Sequence, residues 1–106
     1  MISENDKNLA KYRIEQAREC IQSAEISLET SLKTSINRSY YGIFYAMRAV
    51  LALDKFDSKK HSGIISAFRQ KYIKTGKFAA HFSDVIGSAF EIRNESDYED
   101  FYDVIC

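Results

Sequence analysis

Proline is absent from this 106-residue chain, and glycine occurs only four times. Proline removes an amide donor and clashes with the preceding turn, and glycine costs backbone entropy, so a sequence poor in both admits long helices almost anywhere. No apolar run approaches the roughly 18 residues of a membrane span. The opening Met-Ile-Ser-Glu-Asn-Asp-Lys lacks the basic start and apolar stretch of a signal peptide, so the expected location is the cytoplasm, with no membrane partner. Cysteine is scarce too. Cys20 falls on a helical apolar stripe and Cys106 is the last residue. A buried thiol and a tail thiol are expected rather than a disulfide, and neither cysteine stands at ligand spacing from His61 or His81. Glycine-rich phosphate loops, paired carboxylates and metal motifs are missing, so no cofactor or metal is expected. Without repeat, low-complexity tract or linker, residues 1–106 read as one domain. Its core is modest, so its stability can lean on a partner surface.

Hydrophobic residues make up 45% of the chain and charged residues 28%, the balance of an ordinary soluble globular protein. A formal net charge of zero argues against a dedicated nucleic-acid binder. The charge is uneven, however. Residues 55–77 hold seven basic side chains and one acid, Asp57, whereas residues 91–106 hold six acids and one base, Arg93. A basic middle and an acidic end can meet inside a dimer, or the basic part can face phosphate. The plainer reading is two solvated faces.

Apolar spacing predicts four helices. The first runs from about Asn5 to Thr30, with Ala17, Ile21, Ala24, Leu28 and Leu32 on one face. A polar turn over 30–35 follows, with Thr34 or Ser35 as N-cap. The second runs from Ile36 to Leu53 on a stripe of Ile36, Tyr40, Phe44, Met47 and Leu51. Asp57 or Ser58 caps the third, which places His61, Ile65, Phe68 and Tyr72 on one face and continues to Lys74 before Thr75-Gly76 stops it. The fourth covers Phe78 to Glu95, with Phe82, Ile86, Phe90 and Arg93 at spacings that put Arg93 on the buried side or its edge. Beyond it, Tyr98, Phe101, Tyr102 and Ile105 begin a short or truncated fifth helix. No strand pattern is present, so the expected fold is all-α, an antiparallel up-and-down bundle.

Few residues offer chemistry. A guanidinium on an apolar face needs a partner, and Asp97 lies four residues beyond Arg93. Spacing alone favours an arginine that ties helix ends together over one that holds phosphate. Arg38, Tyr41, Tyr45 and Arg48 form a second stripe on the second helix. Arginine interleaved with tyrosine can hold RNA by phosphate contact and base stacking, and it is equally typical of helix interfaces, the favoured reading here. His61 opens the third helix, where a capping or half-buried role is commoner than a general acid or base near Arg93. His81 reads as a surface residue.

Three blocks carry a resemblance: 37–45 (Asn-Arg-Ser-Tyr-Tyr-Gly-Ile-Phe-Tyr), 56–63 (Phe-Asp-Ser-Lys-Lys-His-Ser-Gly) and 93–98 (Arg-Asn-Glu-Ser-Asp-Tyr). In this order the chain resembles the HEPN family of bacterial and archaeal helical domains over essentially its whole length. The resemblance implies a bundle of four or five helices, commonly a homodimer, and for many members a neighbouring minimal nucleotidyltransferase in a toxin–antitoxin pair. Active members are metal-independent RNases in which an arginine is followed after four to six residues by a histidine, two such motifs meeting in one dimer cleft. Arg93 matches that arginine and Asn94 the polar residue after it, but positions 98, 99 and 100 are Tyr98, Glu99 and Asp100. An unperturbed tyrosine titrates near pH 10, which makes Tyr98 a poor base at neutral pH. Some family toxins are silenced by AMP added to a nearby tyrosine. Tyr98 and Tyr102 are the local candidates, although the matching position is Asp100. Family members also continue through a further helix where this chain stops.

The sequence therefore leads to a non-enzymatic HEPN module that homodimerises, binds a minimal nucleotidyltransferase and holds nucleotide or RNA phosphate through Arg93, Asn94, Arg38, Tyr41, Tyr45 and Arg48. The alternative is a metal-independent RNase toxin with a degenerate motif, using Arg93 with Tyr98 or His61. The third is a structural domain held by dimer contacts alone.

Overall fold

The computed structural model describes residues 2–98, with side chains through residue 94. The described residues form four α-helices and no strand, as expected. Helix α1 (Glu4–Ser27) starts on Ser3, whose hydroxyl accepts the Asp6 amide while the Asp6 carboxylate accepts the Ser3 amide. This reciprocal cap satisfies two donors that the first turn otherwise leaves open. Ala10, Arg13, Ala17, Cys20 and Ala24 form its buried stripe, and Cys20 is a free thiol. Because α1 ends at Ser27, Leu28 falls outside the stripe and is exposed, as is Ile21 at its edge.

Helix α2 (Leu32–Ala52) begins four residues before the expected Ile36. Its N-cap is Ser31, which accepts the Thr34 amide, not Thr34 or Ser35. Ser35 instead lies inside the helix, buried, and donates to the Ala24 carbonyl at 2.8 Å. Small residues let α1 and α2 approach closely. A Cβ on Gly42 would stand 2.6 Å from Cδ1 of Ile21. Tyr40, Phe44, Met47 and Leu51 supply the core stripe, and Ile36 is only half-buried. The helix ends through Lys55 in the left-handed region at φ 61°, with the Phe56 amide reaching back to the Leu51 carbonyl at 3.1 Å.

The loop 53–60 then turns back beside α2. Asp57 reaches Arg48, and His61 reaches Tyr40 and Phe44. Helix α3 (His61–Phe68) is shorter than expected. Its N-cap position is Lys60, with no side-chain cap, so neither Asp57 nor Ser58 caps it. It passes into a π-helical turn, Arg69–Ile73, closed by the Lys74 amide on the Arg69 carbonyl at 2.8 Å. The helical run stops before Gly76, at φ 83°, as its residue type predicts. Helix α4 (His81–Tyr98) runs antiparallel to α2 and seats Ile86 in the core. Helix α2 packs against α1, α3 and α4 and is the centre of the fold. Among the described residues, no helix is long and apolar enough to cross a membrane. The expected fifth helix and Cys106 lie outside the described residues.

Candidate functional site

Helices α3 and α4 converge on the N-terminal half of α2. Tyr40 is buried, with Phe44 stacked beside it at 6.2 Å between ring centroids and Phe90 of α4 at 5.9 Å. His61, the first residue of α3, stacks on Phe44 at 4.1 Å and meets Tyr41 edge-on at 5.7 Å. Its Nδ1 lies 2.8 Å from the Tyr40 hydroxyl. From α4, the Arg93 guanidinium lies over Tyr40 at 5.3 Å and over Tyr41 at 5.7 Å, and its Nη1 donates to Oδ1 of Asn94 at 3.4 Å. Arg93 thus sits at the half-buried edge that its helical spacing predicts. Aromatic faces attract a guanidinium, whose planar fork of N–H donors is of the kind that matches phosphate.

The electrostatics of the cluster favour neutral side chains beside its arginines. Burial lowers the His61 pKa below its usual value, and the charges of Arg93 and Arg48 lower it further. Burial also raises Tyr40, against the pull of Arg93, so its phenol keeps its proton.

Beside this cluster opens a shallow groove of about 510 Å³, lined by Phe44, Arg48, Asp57, Ser58, Lys59 and His61. Asp57 is its hub. Arg48 donates to both carboxylate oxygens at 2.9 Å, and Arg13 of α1 donates at 3.1 Å. Arg13 also donates to the Arg48 carbonyl at 3.3 Å and is only 8% exposed. Burial alone would raise the Asp57 pKa, but the Ser58 amide and the two arginines outweigh it and hold the carboxyl low. Arg13 and Asp57 were absent from the candidate residues. The signal was an arginine at a position of the α1 stripe otherwise filled by Ala10, Ala17, Cys20 and Ala24.

The expected stripe on α2 divides. Tyr41 joins the Arg93 cluster, and the Arg38 guanidinium lies over its ring at 5.4 Å while donating to Asn37 at 2.8 Å. Arg48 is committed to Asp57. Tyr45 and Arg38 border a separate depression against Gln16, Glu19, Cys20 and Ser23. His61 and Arg93, far apart in sequence, are brought together around Tyr40 and Tyr41. His81 is exposed and stacks on Phe82 at 4.5 Å. The Tyr98 side chain and the whole of Tyr102 lie outside the described residues. Among the described residues, no group of three or more His, Cys, Asp or Glu could hold a metal ion.

Comparison with known proteins gives a consistent picture. A model of the HEPN domain matches residues 10–104. The chain is 34% identical over 98 residues to a UPF0332 protein of Thermotoga maritima, covering 92% of this chain and 74% of that protein. Two proteins of Methanocaldococcus jannaschii named as candidate toxins are 32% and 30% identical, over 74% and 80% of this chain. The aligned part spans 59% and 64% of those two proteins, less than two thirds of their length. No solved structure matches the chain.

Proposed function

The chain belongs to the HEPN family, and from that premise we propose that it is the helical member of a toxin–antitoxin type pair, acting by binding rather than by turnover. In this reading it homodimerises, binds a minimal nucleotidyltransferase and takes an RNA or nucleotide phosphate at the rim formed by Arg93, Asn94 and Tyr41. The observation that carries the reading is the Arg93 guanidinium lying over the faces of Tyr40 and Tyr41. Tyr41 is half-buried beside it, and a tyrosine ring can stack on a base. The names of the two archaeal relatives support the toxin–antitoxin setting. The absence of a histidine at positions 98–100 supports binding without cleavage.

A second reading has one observation of its own. His61 stands in the same aromatic cluster as Arg93, and its depressed pKa keeps the imidazole neutral at pH 7. In the tautomer where Nδ1–H donates to the Tyr40 oxygen, Nε2 is a free base. It can take the ribose 2′-hydroxyl proton while Arg93 neutralises the phosphate under attack. This is the RNase toxin with His61 in place of the family histidine.

One experiment separates the two. Labelled single-stranded RNA is incubated in EDTA with wild type, Arg93→Ala and His61→Gln, and both retention and cleavage are followed. The binding module retains RNA uncut, loses about tenfold or more in affinity with Arg93→Ala, and is little changed by His61→Gln. The RNase cuts RNA as wild type and loses cleavage in both variants. A wild type that neither binds nor cuts RNA, and in a parallel assay binds no ATP, refutes both.

A further inference from the structure

From Ser58 to Ser83 the chain holds no aspartate or glutamate, and it holds six basic residues, Lys59, Lys60, Arg69, Lys71, Lys74 and Lys77. The stretch covers α3 and its π-helical turn, which follow one another without a break as a helical rod over residues 61–73. That rod is roughly 20 Å long. It starts at His61, beside the Arg93 cluster, and its other end brings the Tyr72 hydroxyl to Asp54 beyond the end of α2.

Arg69 is taken up by the fold. It donates to the Ser83 carbonyl at 3.0 Å, and a Cβ on Gly87 would stand 3.2 Å from its Nη2. The five lysines are all exposed, and among the described residues none of them is in an ion pair. Lys71 lies over the Phe56 ring at 4.8 Å and Lys77 over Tyr72 at 5.4 Å. Of the acids on the neighbouring elements, Asp57 is held by Arg48 and Arg13, and Asp54 accepts the Tyr72 hydroxyl. On α4, Asp84 and Glu91 are exposed, and Glu95 and Asp97 follow in the sequence toward the Arg93 end. The end of the rod near Lys71, Lys74 and Lys77 therefore faces little negative charge.

The make-up of this face selects its partner. Protein interfaces are depleted in lysine and serine and centre on apolar or aromatic anchors. The exposed residues of the rod are Ser62, Ser66, Gln70 and Lys71. Among the described residues no exposed large hydrophobic lies between 53 and 77, and Phe78 is the nearest. A phosphate backbone needs no apolar anchor, only spaced cations that displace its counterions. The ring of Tyr41, at the start of the path, can stack only on an unpaired base.

We propose that the lysine face of α3 carries the backbone of a single-stranded RNA, leading from the Arg93 rim past Lys59 and Lys60 to Lys71, Lys74 and Lys77. The ligand of the Arg93 site is then a polynucleotide and not a free nucleotide. The proposal rests on the reading of Arg93 as a phosphate contact and adds the path and the substrate class.

The test follows fluorescence anisotropy of two labelled probes, an oligouridine of about twenty nucleotides and the dinucleotide UpU, across a salt series. Wild type should bind the long strand more tightly than the dinucleotide. Lys71→Gln/Lys74→Gln should weaken only the long strand, and should lower the slope of log K against log salt by about 1.4, at about 0.7 for each phosphate contact. Lys59→Gln/Lys60→Gln should act in the same direction. Lys7→Gln/Lys11→Gln, the same charge change on exposed positions of α1, should leave the slope unchanged. Every substituted lysine is exposed, so circular dichroism should show all three variants folded. Equal affinity for the two probes, or a slope that the α3 variants do not change, overturns the path while Arg93→Ala still reports on the Arg93 site. Loss of binding in the α3 variants with none in Arg93→Ala overturns the Arg93 reading and the joined path with it. Displacement of the RNA by polyglutamate of equal charge, as readily as by unlabelled RNA, overturns the choice of nucleic acid in favour of an acidic protein.

Discussion

The Nδ1 of His61 lies 2.8 Å from the hydroxyl of Tyr40. That contact joins the start of α3 to α2 beneath the Arg93 guanidinium, and it sets a pH dependence. The folded state lowers the His61 pKa below 6.5, first by burial and then by the charges of Arg93 and Arg48. Unfolding therefore binds a proton in the window just below pH 6.5. Stability is complete above that value and falls as pH drops toward the folded-state pKa. The carboxylates of Asp6 and Asp57, also held low, act only in a separate window below 3.8. Urea unfolding at a series of pH values should show stability falling as pH drops below 6.5, with a shallower slope in His61→Gln. Equal slopes would mean that His61 is no more desolvated in the fold than in the open chain.

Asp57 should matter more to stability than either arginine it holds. Removing it takes the counter-charge from Arg13, which is 8% exposed and keeps its bond to the Arg48 carbonyl, whereas removing Arg13 leaves Asp57 its bonds to Arg48 and the Ser58 amide. Asp57→Ala is expected to cost about 1.5–3 kcal/mol, and Arg13→Met, which keeps most of the side-chain volume, roughly 1 kcal/mol. Chemical denaturation of both variants tests the order. Arg13→Met costing more than Asp57→Ala would mean that packing of the Arg13 stem outweighs its charge.

Lys55 ends α2 in a conformation suited to glycine. Its ammonium also pairs with Asp6 across the start of α1, at a largely exposed position where such a pair contributes little. Lys55→Gly relieves the left-handed backbone, and Lys55→Ala loses the same ion pair without that relief. The glycine variant should therefore be the more stable by about 1 kcal/mol. Thermal melts of the two give the difference directly, and no gap between them would show the backbone there to be unstrained.

The architecture was legible because it rests on periodicity. Tyr40, Phe44, Met47 and Leu51 announce α2, and Gly76 announces the stop after α3. Helix ends were less legible, since Ser31, Thr34 and Ser35 are all competent caps and only the backbone geometry selects Ser31. The π-helical turn at Arg69–Ile73 has no signature in spacing. Within the site, the edge position of Arg93 followed from its helix, but its approach to His61 did not. That approach depends on how far the loop 53–60 runs back beside α2, a tertiary outcome set partly by Asp57 binding Arg48 and Arg13. The same ion pairs withdrew Arg48 from the stripe it shares in sequence with Tyr41.

The central claim is that Arg93 on its aromatic rim holds phosphate, and fluorescence anisotropy of a labelled single-stranded RNA tests it most directly. Wild type should bind, more weakly as salt is raised, and Arg93→Ala should bind at least tenfold more weakly at the same salt. Equal binding by the two proteins would contradict the account and leave Arg93 as a residue that only ties α4 to α2.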